Sequence, residues 1–361
     1  MLSLSRKKKP DSVVGLDIEA GSVAATEVAV NGSVELKASA IAALDPGAFH
    51  EGEVLDADRL VTALKSLFAE HKLSKQVRLG IGNQRVVVRT IRLPAIEDPK
   101  EMEAAVRFRA QEQMPMPLDQ AVLEYQVVGG AADIEGGAAQ VDVVVVAARR
   151  DMVSSLLDPI RKAGLEPVGV DLSAFGMIRA LAGPASPALA AGDDAAPPSA
   201  VLYCNLGDVT NLAVARDRAC LFTRVSYAGL EQIAGRLTSA SGIHPEHAAP
   251  WLSHVGLEAS LETIEGDAET AAAARRALEE GVTALIDELR LSLDYYGAQE
   301  AVVPVERIVL CGPGSAISGL ATRMEAGLGL PISVARPPAL DALDEASAAR
   351  LTVPFGLALE D

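Results

Sequence analysis

The sequence predicts an α/β protein built from two similar halves, and three observations favour this fold class. The chain has 361 residues, of which 49% are hydrophobic and 22% charged, so it can bury a large core and exceeds the usual size of one domain. Each half opens with three short β-patterned segments and continues with helical patterns. Between the halves, residues 183–199 are almost wholly Ala, Pro, Gly, Ser and Asp, which predicts a linker or loop. Because both halves share this order, we expect an internal duplication.

In the first half, strands are predicted at 12–18, 22–30 and 34–43, and the pair Asn31-Gly32 predicts a hairpin turn between the last two. Apolar residues recur at helical spacing in 56–71, which predicts a helix. The later strands of this half are expected at 76–81, 85–93, 121–128, 140–147 and 166–170. Further helices are expected from 99 to the residue before Met114, from Asp151 onward, and over 171–181.

The second half follows the same plan. Its three opening strands are predicted at 201–206, 211–215 and 220–226, with turns at Gly207-Asp208 and Arg216-Asp217. The longest helix is expected at 270–297, where apolar residues recur along one side. A buried strand at 307–311, a tight turn at 312–315 and a helix at 316–328 complete this half.

Charge and cysteine content exclude several classes of protein. A net charge of −17 argues against binding to the phosphate backbone of nucleic acid. The most apolar run, 141–148, is interrupted by Asp142 and is far shorter than the about 20 residues that span a bilayer. Cys204, Cys220 and Cys311 lie in apolar segments without a CxxC motif, so we expect reduced core thiols. The basic cluster in residues 1–10 predicts a flexible tail, with a weak contact to an anionic membrane surface as the alternative.

Three glycine-containing turns have features of nucleotide contacts. A strand that ends on an acidic residue and turns on small residues can bring N–H groups to a phosphate and hold Mg²⁺ through its carboxylate. Asp17, just before the turn 19–22, fits this description, and the turn after 202–206 resembles it except that the strand ends on Asn205. The third turn, 312–315, joins a buried strand to a helix N-terminus. Each turn alone is more typical of a plain hairpin or connection, but their order along the chain is more specific.

With these segments the chain resembles the actin-like ATPase superfamily, and within it the PilM family of type IV pilus assembly proteins, which are relatives of FtsA. Residues 14–18 and 202–212 match the two phosphate segments, and 312–315 match the adenosine segment. More specific to PilM are 88–94, the helix 101–113 that leads into Met114-Pro115-Met116-Pro117, and the motifs at 163–167 and 170–175. The resemblance covers roughly 11–359.

The resemblance implies a two-lobed actin-like fold with duplicated ribonuclease-H-like subdomains. Subdomain 1A would comprise 11–76, completed by 168–199 and 336–361; an inserted subdomain 1C would comprise 77–167, and the second lobe, with subdomains 2A and 2B, 200–335. ATP would bind in the cleft between the lobes, with Mg²⁺ at Asp17. The implied cofactor-binding residues are Asp17, Gly21, Ser22, Asn205, Gly207, Thr210, Asn211, Gly229, Gly312, Gly314 and Ser315.

Three residues depart from the usual pattern of the family. Glu19 stands in a turn that is commonly rich in Gly and Ser, Ala24 stands in the place of a Lys, and Asn205 replaces an Asp. A glutamate repels phosphates, and the missing ammonium removes an attractive charge. We therefore predict that ATP binds with Mg²⁺ but is turned over very slowly. Asp171 is expected either to cap a helix N-terminus or to act as the catalytic, water-orienting residue.

The resemblance also implies a cytoplasmic scaffold, peripheral to the inner membrane, that works with other pilus-assembly proteins. Its partner would be a PilN-like bitopic membrane protein, whose short N-terminal tail would dock between 1A and 1C at Leu93, Pro94, Met114 and Met116. Alternatively, Met114 and Met116 fill the core of 1C. Two other functions stay open at this stage: a sugar or small-acid kinase of the same fold, and an FtsA-like division protein.

Overall fold

The computed structural model describes residues 12–30, 33–128, 139–183, 199–299 and 302–359. The predicted basic tail, the Asn31-Gly32 turn and nearly all of the predicted linker therefore lie outside the described residues. Within the described part of the chain, no helix is both long and apolar enough to cross a membrane.

The first lobe is built on a mixed sheet whose central strand is buried along its whole length. That strand, β1 (Val13–Ile18), pairs antiparallel with β2 (Ser22–Val30), and β2 pairs antiparallel with β3 (Val34–Ala43). A small hairpin, β4 (Phe49–His50) and β5 (Glu53–Val54), precedes helix α1 (Ala57–Glu70). Strand β6 (Gln76–Ile81) then pairs with β1 in parallel, as a helical crossover requires.

The next elements form a separate two-layered unit of one sheet and one helix. Strands β7 (Val86–Pro94), β8 (Ala121–Val127) and β9 (Gln140–Arg149) pair in the order β7-β9-β8, and helix α2 (Pro99–Gln113) packs on one face of this sheet. The expected inserted segment 77–167 also covers residues of the first lobe, because β6 and the strand at Glu166–Leu172 pair in the first sheet and the helix at Arg150–Lys162 packs on it.

The chain then returns to the first lobe. Helix α3 (Arg150–Lys162) packs beside α1 against the sheet, and β10 (Glu166–Leu172) pairs with β6 in parallel. Helix α4 (Ser173–Leu181) follows directly. It begins two residues later than predicted, because Asp171 still belongs to the strand.

The second lobe repeats the plan with its own sheet. Its opening strands are β11 (Ala200–Leu206), β12 (Thr210–Arg216) and β13 (Ala219–Ser226), followed by helices α5 (Leu230–Ser241), α6 (Pro245–Val255) and α7 (Ala268–Gly297). The remaining elements are β14 (Val305–Cys311), α8 (Leu320–Leu328) and β15 (Ile332–Val334). The helix expected at 316–328 begins later, because Pro313–Ala316 form a 3-10 turn.

The two sheets have the same topology, which confirms the predicted duplication. The first runs β3-β2-β1-β6-β10 and the second β13-β12-β11-β14-β15. In each sheet, the first three strands in this order pair antiparallel, and the last two strands lie parallel to the central strand, β1 or β11.

The last helix, α9 (Glu345–Ala358), is an element that the sequence did not predict. It packs on β1, β2 and α4 and is buried on all sides from Ala348 to Ala358. Together α4 and α9 form a layer between the two sheets, where Met177 and Leu357 share a core with Tyr203 and Val309 of the second lobe.

Candidate functional site

The two hairpin turns that the sequence identified as phosphate segments face each other across the cleft between the lobes. The β1–β2 turn contains Glu19, Ala20 and Gly21, and the β11–β12 turn contains Gly207 and Asp208. The Gly21 backbone N–H donates to Asp208 Oδ2 at 3.2 Å, and the neighbouring Ala20 N–H faces the same carboxyl group and opposes the rise of its pKa. The first turn therefore already holds an anion, supplied by the other lobe.

The second turn receives a carboxyl group from the first lobe. The Asp208 backbone N–H faces the Glu19 carboxyl group and opposes the rise of its pKa. Glu19 Oε1 lies so close to Gly207 that a Cβ atom on that glycine would be 2.0 Å from it. We call this reciprocal pair, Glu19 and Asp208 with the N–H groups they accept from, the carboxylate latch.

A buried arginine from α9 completes the site. Arg350 Nη1 donates to Asp17 Oδ2 at 2.6 Å, and its Nε donates to Ser22 Oγ at 2.8 Å and lies 3.3 Å from Glu19 Oε2. Its Nη2 donates to the backbone oxygens of Asp17 and Ser22. The other Asp17 oxygen accepts a hydrogen bond from Ser173 Oγ at 3.2 Å. The carboxylate expected to hold Mg²⁺ is thus occupied by a guanidinium and a hydroxyl.

Close packing of α9 explains why Arg350 reaches the turn. A Cβ on Gly15 of β1 would lie 1.9 Å from the Pro354 carbonyl oxygen, and a Cβ on Gly356 would lie 1.8 Å from the Gly176 carbonyl oxygen. Only glycine lets the helix backbone approach the strand and α4 this closely. The side chain one helical turn before Pro354 is that of Arg350, which then points at the end of β1.

Burial makes the ionisation of this cluster unusual. It raises the pKa of Glu19 from 4.5 to about 8, although the Arg350 charge opposes the shift. Burial also raises the pKa of Asp208, with the N–H groups of the first turn opposing it. Burial would lower the pKa of Arg350, but the neighbouring carboxylates of Glu19 and Asp17 raise it overall. The site consequently holds one permanent cation among carboxyl groups.

Beside the latch, a cavity open to solvent lies between the lobes. Its walls come from β1, from the β4–β5 hairpin, from the end of β6 and from the start of α5. At its rim His50 Nδ1 lies 2.7 Å from Glu231 Oε1, a second contact between the lobes. The acidic residues that line the cavity are Asp17, Glu19, Glu51, Asp208 and Glu231. The cavity is therefore strongly acidic.

Comparison with known proteins identifies the family. A family model described as type IV pilus assembly protein PilM matches residues 15–359. The chain belongs to the PilM family. A chain of a solved PilM-PilN type IV pilus biogenesis complex is 25% identical, with a TM-score of 0.75 over 97% of this chain and 98% of that chain. The predicted family and its actin-like fold are confirmed.

One more distant structure shares the fold alone. The ethanolamine utilization protein EutJ from Carboxydothermus hydrogenoformans is 13% identical, with a TM-score of 0.53 over 97% of this chain and 90% of that one. MreB5 of Spiroplasma citri, solved with AMPPNP, is 14% identical, with a TM-score of 0.48 over 96% and 95% of the two chains.

The predicted cofactor residues of this PilM-family chain fall into two groups. Asp17, Gly21, Ser22 and Gly207 meet at the latch. The others lie behind it or on the opposite wall of the cleft, where packing and internal hydrogen bonds account for most of them; they are Asn205, Thr210, Asn211, Gly229, Gly312, Gly314 and Ser315.

The expected adenosine segment does not line the cavity. A Cβ on Gly312 would lie 2.5 Å from Asn205 Oδ1, and one on Gly314 would lie 2.4 Å from the Leu206 side chain. Ser315 Oγ donates to the Gly312 carbonyl oxygen and is buried. These glycines therefore serve the packing of the turn against the end of β11.

Two further predicted cofactor residues lie next to the second turn and are also in contact with other parts of the protein. Thr210 Oγ1 donates to the Ala228 carbonyl oxygen at 2.6 Å. Gly229, at the start of α5, lies so close to the turn that its Cβ would be 2.3 Å from the Asp208 carbonyl oxygen. Asn211 lines the cavity, and its Oδ1 atom is buried without a hydrogen-bond partner.

Asp171 has neither of the arrangements expected for it. Its carboxylate forms an ion pair with the buried Arg179 and accepts the Leu172 N–H at 2.8 Å, so it does not cap the first turn of α4. The residue of this segment that lines the cavity is Ser173.

The side chains of the cleft do not fit Mg²⁺ and ATP as the resemblance implies them. The turn N–H groups that would bind phosphates donate to Asp208 and Glu19, and Asp17 is bound to Arg350. Mg·ATP would bring further negative charge into a cavity already lined by acidic residues, where like charges repel.

The predicted partner-binding residues also separate. Leu93 and Met114 are buried in the core of the inserted unit, as the core alternative expected for Met114, and Met116 packs partly against the same core. Met116 is half-buried and Pro94 is exposed. Only these two remain accessible to a peptide.

The sequence analysis missed Arg350 entirely. A signal was present, because a single arginine stands in the otherwise uncharged run 348–358. A buried arginine needs a carboxylate partner, and Asp17 and Glu19 at the end of a buried strand were the available candidates.

Proposed function

We propose that this chain is a cytoplasmic scaffold of the type IV pilus assembly complex and binds the short N-terminal tail of a PilN-like bitopic protein at the inner membrane. The observation that carries this is the full-length likeness to a chain of the PilM-PilN complex, which extends over 98% of that chain. The family match favours this function over the kinase and division-protein alternatives. Contacts with other pilus-assembly proteins are part of the same proposal.

The proposed docking surface surrounds Met116, at the end of the inserted unit where α2 leads into β8. Pro94 lies at the opposite end of the sheet, because it pairs with Gln140 at the start of β9, whereas Ala121, which begins β8, pairs with Arg149 at the end of β9. Met116 stands between two prolines, so the local backbone is conformationally restricted. Methionine adapts to different apolar side chains, and a preordered surface lowers the entropic cost of binding. An extended apolar tail therefore suits this surface.

The prediction that the cleft binds ATP with Mg²⁺ has the fold in its favour and the side chains of the cleft against it. The turns are already bonded to Glu19 and Asp208, and Asp17 is bonded to Arg350. The proposed scaffold function does not require hydrolysis, so we assign no ATPase activity and no catalytic role to Asp171.

The docking proposal is tested with Met116→Glu in the full chain. A labelled synthetic peptide of the partner's N-terminal tail is titrated, and fluorescence anisotropy gives its Kd. We expect binding at least about 10-fold weaker, a loss of about 1.4 kcal/mol, because a carboxylate at a partly buried apolar contact must be desolvated.

The matched control is Phe108→Glu, which places the same charge on the same unit. Phe108 is 67% exposed on α2, so this variant is expected to fold and to bind the tail normally. Equal weakening by both variants would indicate a general charge effect, and normal binding by Met116→Glu with an unchanged melting temperature would place the docking surface elsewhere.

A further inference from the structure

The carboxylate latch occupies the groups that an actin-like cleft offers to a nucleotide. Backbone N–H groups of small turns bind anions because several partial positive charges converge on one point. Here the N–H groups of Ala20 and Gly21 converge on the Asp208 carboxylate, and the Asp208 N–H meets the Glu19 carboxylate. Each lobe supplies the carboxyl group that lies on the turn of the other lobe.

We infer that the cleft of this chain is filled by its own charged side chains and excludes magnesium nucleotides: Glu19 and Asp208 take the positions of phosphates, and Arg350 takes that of the metal ion. The inference goes beyond the proposed scaffold function and does not depend on it. It assigns to Arg350 the role of holding both Asp17 and Glu19 in place.

The contacts of Arg350 hold Glu19 in the cleft. Its guanidinium is 7% exposed and reaches Asp17 at 2.6 Å, the Ser22 hydroxyl at 2.8 Å and Glu19 at 3.3 Å. Planar guanidinium groups bind two or more oxygens in a fixed geometry. Moving Glu19 out of the cleft would break its contacts with both the arginine and the second turn.

A second consequence concerns the lobes themselves. The hydrogen bond from Gly21 to Asp208 and the close approach of Glu19 to Gly207 join the two lobes, as does the contact of His50 with Glu231. A nucleotide is therefore not needed to bridge the turns. The closed arrangement is a property of the chain alone, and the adjacent cavity stays acidic.

The test measures Mg·ATP binding by calorimetry with the full chain and with Glu19→Ser/Asp208→Ser, which frees the turn N–H groups. We expect no saturable binding of Mg·ATP to the wild type at millimolar concentrations. The double variant should bind Mg·ATP with a Kd at least about 10-fold below the highest concentration tested. Saturable wild-type binding in the micromolar range would overturn the inference. A folded double variant that binds no nucleotide would overturn it as well, because the carboxylates would then not be the barrier.

A matched control distinguishes two reasons for excluding ATP: occupied N–H groups of the turns, and negative charge in the cavity. Glu51→Asn/Glu231→Gln removes two carboxylates from the same cavity and leaves the latch intact; Asn suits the positive φ of 48° at position 51. We expect this control to bind no nucleotide. Binding equal to that of the latch variant would show that charge, not occupancy, excludes ATP, and would contradict the inference.

Hydrogen exchange of the wild type gives an independent readout if the latch variant fails to fold. The amides of Ala20, Gly21 and Asp208 are expected to be protected without nucleotide and unchanged by Mg·ATP. Rapid exchange that slows on adding Mg·ATP would show free N–H groups that a nucleotide fills. The tail peptide is titrated on the same samples, so failure of the docking proposal is seen separately.

Discussion

Replacement of Arg350 by methionine tests the arrangement at the cleft most directly. Methionine keeps much of the apolar stem but removes the guanidinium that contacts Asp17, Glu19 and Ser22. The side chains of Asp17 and Glu19 are only 10% and 11% exposed, so they would remain as a buried pair of carboxyl groups without a cation. We expect a large loss of stability.

The magnitude follows from the burial. Removing one partner of a buried ion pair costs about 3–5 kcal/mol, because the remaining charge stays desolvated. The loss is limited when the carboxyl groups can protonate, so it should be smallest in acid and grow as pH rises toward 8. At neutral pH we expect a loss of unfolding free energy in this range of about 3–5 kcal/mol for Arg350→Met.

Urea unfolding followed by circular dichroism measures this loss, with the melting temperature as a check in case the lobes unfold separately. Arg336→Met is the matched control, because Arg336 pairs with Asp341 at 2.9 Å while both side chains are at least 40% exposed. Surface pairs of this kind contribute about 0–1 kcal/mol. If Arg350→Met costs no more than this control, the guanidinium does not hold the buried carboxyl groups and the reasoning is wrong.

Two other outcomes follow from the structure. Glu19 keeps its proton up to about pH 8 in the folded chain but releases it near pH 4.5 when unfolded. The unfolding free energy should therefore fall as pH rises between these values, by at most about 1.4 kcal/mol per pH unit. Glu19→Gln should reduce this slope in urea unfolding measured at several pH values, and an unchanged slope would contradict the burial argument. Gly15→Ala should lower the melting temperature strongly, because its Cβ would meet the Pro354 carbonyl oxygen at 1.9 Å, whereas Gly21→Ala, with nothing within 4 Å, should leave it nearly unchanged; similar melting temperatures would refute the close packing of α9.

Most of the strands and the long helix were predictable because their patterns are local. Alternation and short apolar runs between turn residues located β1, β2, β11 and β12, and helical spacing located α7. Helix α9 gave no such signal, since it is buried on every side and carries Pro354 in its interior. A helix that is apolar all round has no amphipathic period to detect.

The position of the site in the fold was predictable from the sequence, but the side chains that fill it were not. The two turns were identified correctly as facing elements, because the order of motifs along the chain fixes the fold. The residues that fill the cleft come from positions 19, 208 and 350, and contacts over such separations leave no local pattern. Their pairing depends on how α9 crosses β1, which the glycines at 15 and 356 determine.

The position of α9 explains both departures from the family pattern, at positions 19 and 24. Ala24 is fully buried against α9 with Ala348 and Leu351, so a lysine there would have no room. The cation of the site instead comes from α9 itself, as Arg350, and it lies against Glu19, whose carboxyl group would otherwise be buried without a partner of opposite charge. A glycine at position 19 alone would leave Asp208 on the first turn, and a lysine at position 24 alone would displace the helix that carries Arg350. Nucleotide binding cannot be recovered by either change singly, because the side chains that close the cleft also pack the interface between the lobes.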